Sequence, residues 1–168
     1  AWLAMSSVYT VSASERALIL RFGKEAGVAG PGLHFKLPFG IDRIKIVAVE
    51  EVKREEFGFR TEQAGVETVY ARSTPQIEDE GRILTGDLNI LMVQWVVRYR
   101  VKDIRNYIFS LRSPEDTIRD VSEAVMRQVV GDSSVDEVLT VGRQRIQLEA
   151  QRLIQQKLNE YGPGEKGA

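Results

Sequence analysis

The side chains able to perform acid–base or nucleophilic chemistry are few in this sequence. It contains one histidine, His34, and no cysteine. These counts exclude a multi-histidine metal site, a thiolate nucleophile and a cysteine-ligated zinc or iron–sulfur site. A serine–histidine–acid triad would have to use His34. Residues 33–37 alternate apolar and polar side chains, which predicts a strand with His34 and Lys36 on the face opposite the apolar side chains. We therefore interpret His34 as a solvated strand residue.

Three other motifs resemble functional sites but are explained by local structure. Asp87 closes a predicted turn at residues 85–87, where an aspartate commonly accepts hydrogen bonds from nearby backbone. The glycines of residues 27–32 connect two predicted strands, whereas a phosphate-binding loop opens a helix. The acidic residues 78–80 lack further oxygen ligands at the spacing that a hard cation needs. The sequence also has no P-loop, dinucleotide-binding, zinc-protease, serine-hydrolase or EF-hand motif. We predict a non-enzyme with no catalytic residue, no cofactor site and no metal site.

The composition is that of one globular domain. The 168 residues are 43% hydrophobic and 28% charged, which argues against disorder and allows a hydrophobic core. Lysine and arginine total 23 against 24 aspartate and glutamate residues, for a net charge of −1. Nucleic-acid-binding domains usually carry an excess of basic residues, so no nucleic-acid partner is expected.

The first half of the chain is predicted to be rich in β-strands. Alternating apolar residues predict strands over residues 15–23 and 33–37, with a glycine-rich connection between them. Residues 61–82 are interpreted as loops around a short strand. The mixed charges of residues 50–56 are interpreted as a solvated strand end or loop. The strongest alternation, over residues 88–101, predicts the central strand of the domain.

Helical signals dominate the second half. Ser113 and Pro114 are typical of an N-cap and a first helical position, and an apolar face at helical spacing then continues to Gly131. A capping box at Ser134 predicts a short helix, and a longer helix is predicted over residues 141–160. Strands followed by helices predict an α+β fold, with a β-rich first half and a strand-plus-helix second half.

The two ends of the sequence are predicted to lie outside the domain. Residues 1–14 carry no charge, but the unbroken apolar run covers only residues 1–5, far short of the roughly 20 residues that span a bilayer. Trp2 is of a type favoured at membrane interfaces. This segment is interpreted as the membrane-proximal end of an N-terminal anchor, with a frayed terminus as the alternative. The expected organisation is an anchor-proximal segment, a domain and a flexible or vector-derived tail: residues 1–11, 12–161 and 162–168.

Short motifs follow one another along nearly the whole chain. They are YTV at residues 9–11, Glu15, LRFGK at 20–24, GPGLHFKLP at 30–38, GFRT at 58–61, LTGDLNI at 84–90, YRV at 99–101, NYIF at 106–109 and VLTxGR at 138–143. In this order and spacing they resemble the SPFH group of proteins (stomatin, prohibitin, flotillin and HflK/HflC), also called band 7. The motifs from residue 58 onward are most similar to the HflK branch of the group.

The resemblance implies a non-enzymatic, membrane-associated scaffold that uses no cofactor. It implies a single-pass anchor in the bacterial inner membrane, with the domain on the periplasmic side. It also implies a hetero-oligomer with an HflC-like paralogue that regulates an FtsH-like AAA+ protease. Family members continue with an apolar strand and a coiled coil where this sequence has residues 165–168 (EKGA), so the isolated chain is expected to be monomeric or weakly associating. The alternative is a stomatin-like scaffold acting on another client, either a channel or a different membrane protease.

The turn at residues 37–41 (LPFGI) is the candidate membrane contact. Two bulky apolar residues, Phe39 and Ile41, are unusual at a turn. The resemblance, and the nearness of the expected anchor along the chain, favour contact of Trp2, Phe39 and Ile41 with the membrane surface. The alternative is that Phe39 and Ile41 fold back onto the core of the domain.

Overall fold

The computed structural model describes residues 8–63, 68–109 and 113–161. Within these ranges it contains eleven strands and five helices. The strands are β1 (Val8–Val11), β2 (Glu15–Arg21), β3 (Lys24–Ala29), β4 (Gly32–Phe35), β5 (Asp42–Ala48), β6 (Lys53–Phe57), β7 (Thr61–Gln63), β8 (Val69–Tyr70), β9 (Arg82–Leu84), β10 (Ile90–Met92) and β11 (Trp95–Tyr99). The helices are α1 (Pro75–Gly81), α2 (Ile104–Phe109), α3 (Pro114–Gly131), α4 (Val135–Leu139) and α5 (Arg143–Glu160). Strands fill the first half and helices dominate the second, which confirms the α+β fold.

The chain divides into two compact units. The first unit consists of Ala1–Lys53 and Tyr99–Arg112, and the second of Arg54–Arg98 and Ser113–Ala168. The first is mainly β-structure with one short helix. The second contains the remaining strands and the four other helices of the described residues.

A three-stranded antiparallel sheet in the order β3-β2-β5 forms the centre of the first unit. On one face of this sheet, Ala17 of β2 is buried together with Val11 of β1, which pairs with β4. On the other face, Leu18 and Leu20 are buried against Ile104 of α2. Successive residues of β2 are thus buried on opposite faces, as expected for a central strand covered on both sides.

The core of the second unit is formed by β-strands packed against α3 and α5. Phe57 of β6 and Trp95 of β11 stack with their ring centroids 4.7 Å apart and their planes 3° apart, and the two strands pair. Val125, on the predicted apolar face of α3, is buried in the same cluster as Ile146 and Ala150 of α5. The helical spacing of the sequence therefore predicted this packing correctly.

An ion-pair network lies beside this core. Arg119 donates to Glu80 at 2.7 Å and to Glu55 at 3.0 Å, while Arg60 donates to both Glu80 oxygens at 2.7 and 2.9 Å. The Arg119 guanidinium also lies 4.7 Å from the centroid of the Phe57 ring. Burial raises the pKa of Glu80, but the hydrogen bonds from the two arginines outweigh it, so the pKa of this carboxyl is lowered overall.

The prediction that residues 50–56 form a solvated strand end is wrong for Glu55 and Glu56. Both side chains are half-buried in β6. Glu55 is held by Arg119, and Glu56 accepts hydrogen bonds from the backbone and hydroxyl of Thr61 at 2.7 and 2.8 Å. Arg119 lies 64 residues from Glu55, so the local charge pattern does not reveal this partner, whereas Thr61 lies only 5 residues from Glu56.

The predicted central strand over residues 88–101 is also wrong. The structure divides it into β10 and β11, which pair with different strands. Between them the backbone N–H of Val93 donates to the Gly81 carbonyl at 2.8 Å, and the Gln94 side chain donates to the Gly58 carbonyl at 3.3 Å. Gly58 has a φ of +76°, and a Cβ there would lie 3.0 Å from the Val93 carbonyl oxygen, so this close approach of backbones requires glycine.

Two further secondary-structure elements were not predicted from the sequence. The glycine-rich connection contains strand β3, an edge strand in which Gly27 pairs with Ile19. The region interpreted as loops contains α1, whose N-cap Thr74 accepts a hydrogen bond from the N–H of Ile77 and whose first residue is Pro75. An N-cap threonine followed by proline is a helix-start signal, so α1 was recognisable. None of the helices in the three described ranges is both long and apolar enough to cross a membrane.

Candidate functional site

His34 has the surroundings of a structural residue. It lies in β4, half-buried, and its Nε2 donates to the carbonyl oxygen of Gly30 at 2.8 Å. Its ring centroid lies 5.6 Å from that of Tyr9 on the paired strand. The strand position is as predicted, but the side chain is less solvated than expected because β1 carries an aromatic ring beside it.

Asp87 stabilises a turn, as predicted, and also holds a second element. Its carboxylate accepts the Thr85 hydroxyl at 2.6 Å and the backbone N–H of Val135, at the start of α4, at 3.3 Å. The Thr85 hydrogen bond is the main cause of its lowered pKa. Of the acidic residues 78–80, Asp79 pairs with Arg82 and Glu80 belongs to the ion-pair network. No group of three or more potential metal-ligating side chains occurs among the residues that the structure describes.

The most unusual surface lies at one end of the first unit, where two turns carry exposed aromatic residues. Phe22 joins β2 to β3 and is 80% exposed, and Phe39 lies between β4 and β5 and is 83% exposed. The backbone N–H of Phe22 donates to the carbonyl of Ile41 at 3.0 Å, so the two turns are neighbours. Leu37 is also exposed. We call the side chains of Phe22, Leu37 and Phe39 the apolar tip.

Both turns place phenylalanine in a backbone conformation that disfavours it. Phe22 and Phe39 have φ angles of +50° and +62°, and the glycines that follow them, Gly23 and Gly40, have φ angles of +81° and +74°. Two successive positive φ angles are typical of type I′ turns, whose first position favours asparagine, aspartate or glycine. Bulky residues with positive φ are strained, and such strain clusters at functional sites. Neither backbone preference nor burial in this chain accounts for phenylalanine at these positions.

An ion pair between the exposed Arg21 and the buried Asp42 anchors the apolar tip to the sheet. Asp42 at the start of β5 accepts hydrogen bonds from Arg21 Nε at 2.9 Å and from the backbone N–H of Leu37 at 3.0 Å. The Arg21 hydrogen bond, followed by that from Leu37, lowers the pKa of Asp42. Burial, and then the negative charge of Asp42, raises the pKa of the nearby Tyr9 hydroxyl. Asp42 therefore connects the end of β2 with the turn that carries Phe39.

The start of β1 lies near the same end of the unit. The register of β1 and β4 places Val8 opposite Phe35, two residues before Leu37. Phe35 and Leu33, on the same side of β4, are exposed as well. The apolar face of the strand predicted over residues 33–37 therefore exists, but it faces solvent in this chain and extends the apolar surface beside the tip.

The candidate membrane contacts have separate outcomes. Phe39 is exposed, as membrane contact requires, whereas Ile41 is half-buried. Trp2 lies outside the described residues. The exposure of Phe22 was not predicted because Leu18, Leu20 and Phe22 continue one alternating pattern. Such a pattern indicates a single buried face. The Phe-Gly pair at residues 22–23 and 39–40 could not have identified it alone, because the pair recurs at residues 57–58, where Phe57 is fully buried.

A second exposed apolar surface lies on the hairpin of β9 and β10 in the second unit. Ile90 pairs with Leu84 and Met92 with Arg82, while Ile83 is buried on the opposite face. The outward side of this hairpin and its connecting turn expose the residues that we call the apolar hairpin: Leu84, Leu88, Ile90 and Met92.

Comparison with known proteins identifies the family of the chain. The model of the SPFH domain / Band 7 family matches residues 9–163. The chain belongs to this family. It is 37% identical over 161 residues to the protein HflK of Treponema pallidum, covering 95% of the chain and 48% of the relative. It is 33% identical over 141 residues to the HflK of Borreliella burgdorferi, covering 84% and 43%.

A third relative carries a more informative name. The chain is 32% identical over 161 residues to the modulator of FtsH protease HflK of Escherichia coli, covering 96% of the chain and 33% of the relative. This SPFH chain thus spans between a third and about half of the length of these relatives. The resemblance to the family and to its HflK branch is confirmed.

Proposed function

We propose that this chain is the SPFH domain of an HflK-like, non-enzymatic membrane scaffold that assembles with an HflC-like paralogue and regulates an FtsH-like AAA+ protease. The proposed location is the bacterial inner membrane, with a single N-terminal anchor that includes Trp2 and with the domain on the periplasmic side. The relative named as a modulator of FtsH protease supports the protease partner. The lack of a catalytic motif in the sequence fits a regulatory role.

The apolar tip is the observation that carries the membrane part of the proposal. It exposes Phe22 and Phe39 on strained turns at the end of the unit where Val8 begins β1. An anchor preceding Val8 would therefore emerge beside the tip. Phenylalanine side chains on the apolar face of an interfacial element are stabilised by burial at the boundary between the headgroups and the acyl chains. Ile41, which is half-buried, contributes mainly to holding the turn, so Phe22 replaces it among the proposed membrane contacts.

Contact between subunits is assigned to the apolar hairpin. Contiguous exposed apolar side chains on a folded unit mark interaction surfaces, and the opposite face of this hairpin is already used by the core through Ile83. The proposed occupant is a neighbouring SPFH subunit, because a scaffold of this family needs lateral contacts between such domains. An Ile90→Glu substitution in the full-length protein should reduce the size of the complex in detergent without changing the melting temperature of the domain.

Co-isolation of the full-length protein from membranes of its own host tests the partners. We expect cross-linked complexes to contain an HflC-like paralogue and an FtsH-like protease, and degradation of a membrane substrate to change when the protein is removed. Protease added to spheroplasts should cleave the domain if it is periplasmic. Complexes containing a channel or another protease instead, or a neighbouring gene that encodes an NfeD-like protein and not an HflC-like one, would support the stomatin-like alternative.

A further inference from the structure

The basic residues around the apolar tip form an uncompensated positive surface. Two segments build this end of the unit, residues 21–25 (RFGKE) and 35–43 (FKLPFGIDR). Their carboxylates are Glu25 and Asp42, and each is neutralised by an arginine. Arg105 pairs with Glu25 at 2.7 Å, and Arg21 pairs with Asp42 at 2.9 Å.

Three cations remain after this pairing. Lys24, Lys36 and Arg43 form no ion pair with a carboxylate of the residues that the structure describes. In the strand register, Lys24 of β3 lies opposite Arg21 of β2 beside the turn. Arg43, at the adjoining end of β5, lies opposite Leu20 of β2. Lys36 lies between the exposed Phe35 and Leu37. Each cation is therefore within two residues of the tip, along the chain or across a strand pair.

We infer that the apolar tip and these three cations together form a contact surface for anionic lipid headgroups. The inference rests on the proposed membrane contact and names the lipids that this contact prefers. Apolar side chains at the centre, with cations around them, match a bilayer surface whose headgroups carry negative charge and whose acyl region accepts phenyl rings. The chain as a whole has a net charge of −1, so the positive charge is a local property of this end and not of the molecule.

Charge complementarity determines which vesicles should bind. Each lysine or arginine near an anionic membrane surface strengthens binding by about fivefold, and the effect weakens beyond the Debye length, about 8 Å at physiological ionic strength. Replacing the three cations with glutamine should therefore weaken binding to anionic vesicles by about 100-fold. Binding to zwitterionic vesicles should change little with either substitution or salt.

Vesicle capture tests the inference. The chain is attached to beads at high density through its C-terminal end, and capture of fluorescent vesicles is measured for phosphatidylcholine alone and for phosphatidylcholine mixed with phosphatidylglycerol. We expect preferential capture of the phosphatidylglycerol vesicles, reduced by salt and by Lys24→Gln, Lys36→Gln and Arg43→Gln. Arg16→Gln is the matched control, because Arg16 is an exposed cation at the opposite end of β2. It should leave capture unchanged.

This experiment distinguishes failure of the proposed membrane contact from failure of the inferred preference for anionic lipids. Equal capture of both kinds of vesicle that is lost in a Phe22→Asn, Phe39→Asn variant would keep the membrane contact and overturn the lipid preference. Capture of neither kind would overturn the membrane contact and the preference with it. Equal loss of anionic capture in the Arg16→Gln control would show a non-specific charge effect and would also overturn the inference.

Discussion

Replacing the two tip phenylalanines with asparagine should stabilise the folded chain while weakening its contact with membranes. Phe22 and Phe39 are 80% and 83% exposed, so at most about a fifth of the roughly 1.5–3 kcal/mol available from burying a phenylalanine is lost, or about 0.3–0.6 kcal/mol each. Their positive φ angles, +50° and +62°, cost a bulky residue about 1–2 kcal/mol. Asparagine tolerates this conformation.

The net gain is therefore about 0.4–1.7 kcal/mol per substitution. For a chain of this size a change of 1 kcal/mol shifts the melting temperature by roughly 2–4 °C. The double variant Phe22→Asn, Phe39→Asn should melt about 2–14 °C higher than the wild type by differential scanning calorimetry. The same variant displayed on beads should capture fewer vesicles.

Phe35→Asn provides the matched control for this prediction. Phe35 is 75% exposed but has no positive φ, so its replacement relieves no strain and should leave the melting temperature unchanged or slightly lower. A fall of several degrees in the double variant would show that the two phenylalanines pack against the core. An equal rise in the Phe35→Asn control would refute the strain argument.

Three further outcomes are expected in the second unit and in the assembly state. Phe57→Ala removes a fully buried ring stacked on Trp95 and should cost about 3–5 kcal/mol, measured as a fall of roughly 10 °C or more in melting temperature. Glu80→Gln should cost about 2 kcal/mol at pH 7, because two arginines lose their shared carboxylate. Since the folded-state pKa of Glu80 is lowered, its stabilisation is present above the unfolded-state pKa of about 4.3 and is lost as the pH falls through the folded-state pKa, so urea titrations should show a smaller acid dependence in the variant. The isolated chain should sediment as a monomer or a weakly associating species at micromolar concentration, and a stable closed ring would contradict this.

The helices of the second unit were largely predictable because their signals are local. The capping box at Ser134 is present as predicted, with Glu137 as its partner. Helix α3 begins at Pro114 and ends at Gly131, as the cap residues indicate, although the Ser113 side chain makes no cap hydrogen bond. Caps and 3.6-residue periodicity depend on neighbours within a few residues, so one sequence contains nearly all the information needed.

The strands and the apolar tip were harder to predict because pairing is non-local. Leu91 and Trp95 fit one alternating pattern, yet Leu91 pairs with Ile83 while the strand of Trp95 pairs with β6. Alternation fixes which residues share a face but not the partner strand. For the same reason, the alternation that ends at Phe22 continues through a turn that only the pairing of β2 with β3 reveals.

In the proposed membrane contact, the size of the apolar tip suits it to orient the domain and not to attach it. Full burial of Phe22, Leu37 and Phe39 would supply at most about 4.5–9 kcal/mol, from which the costs of lost orientation and ordering, about 4 kcal/mol or more, must be subtracted. The remainder, at most about 5 kcal/mol, corresponds to a dissociation constant of about 0.2 mM at best for one copy, since about 4 kcal/mol is a millimolar constant. Copies held beside a bilayer by anchors and by their neighbours bind at a high effective concentration, at which weak contacts become saturated. In the proposed anchored assembly the tip would therefore set the tilt of each domain, whereas the free chain should leave zwitterionic vesicles in solution almost unbound.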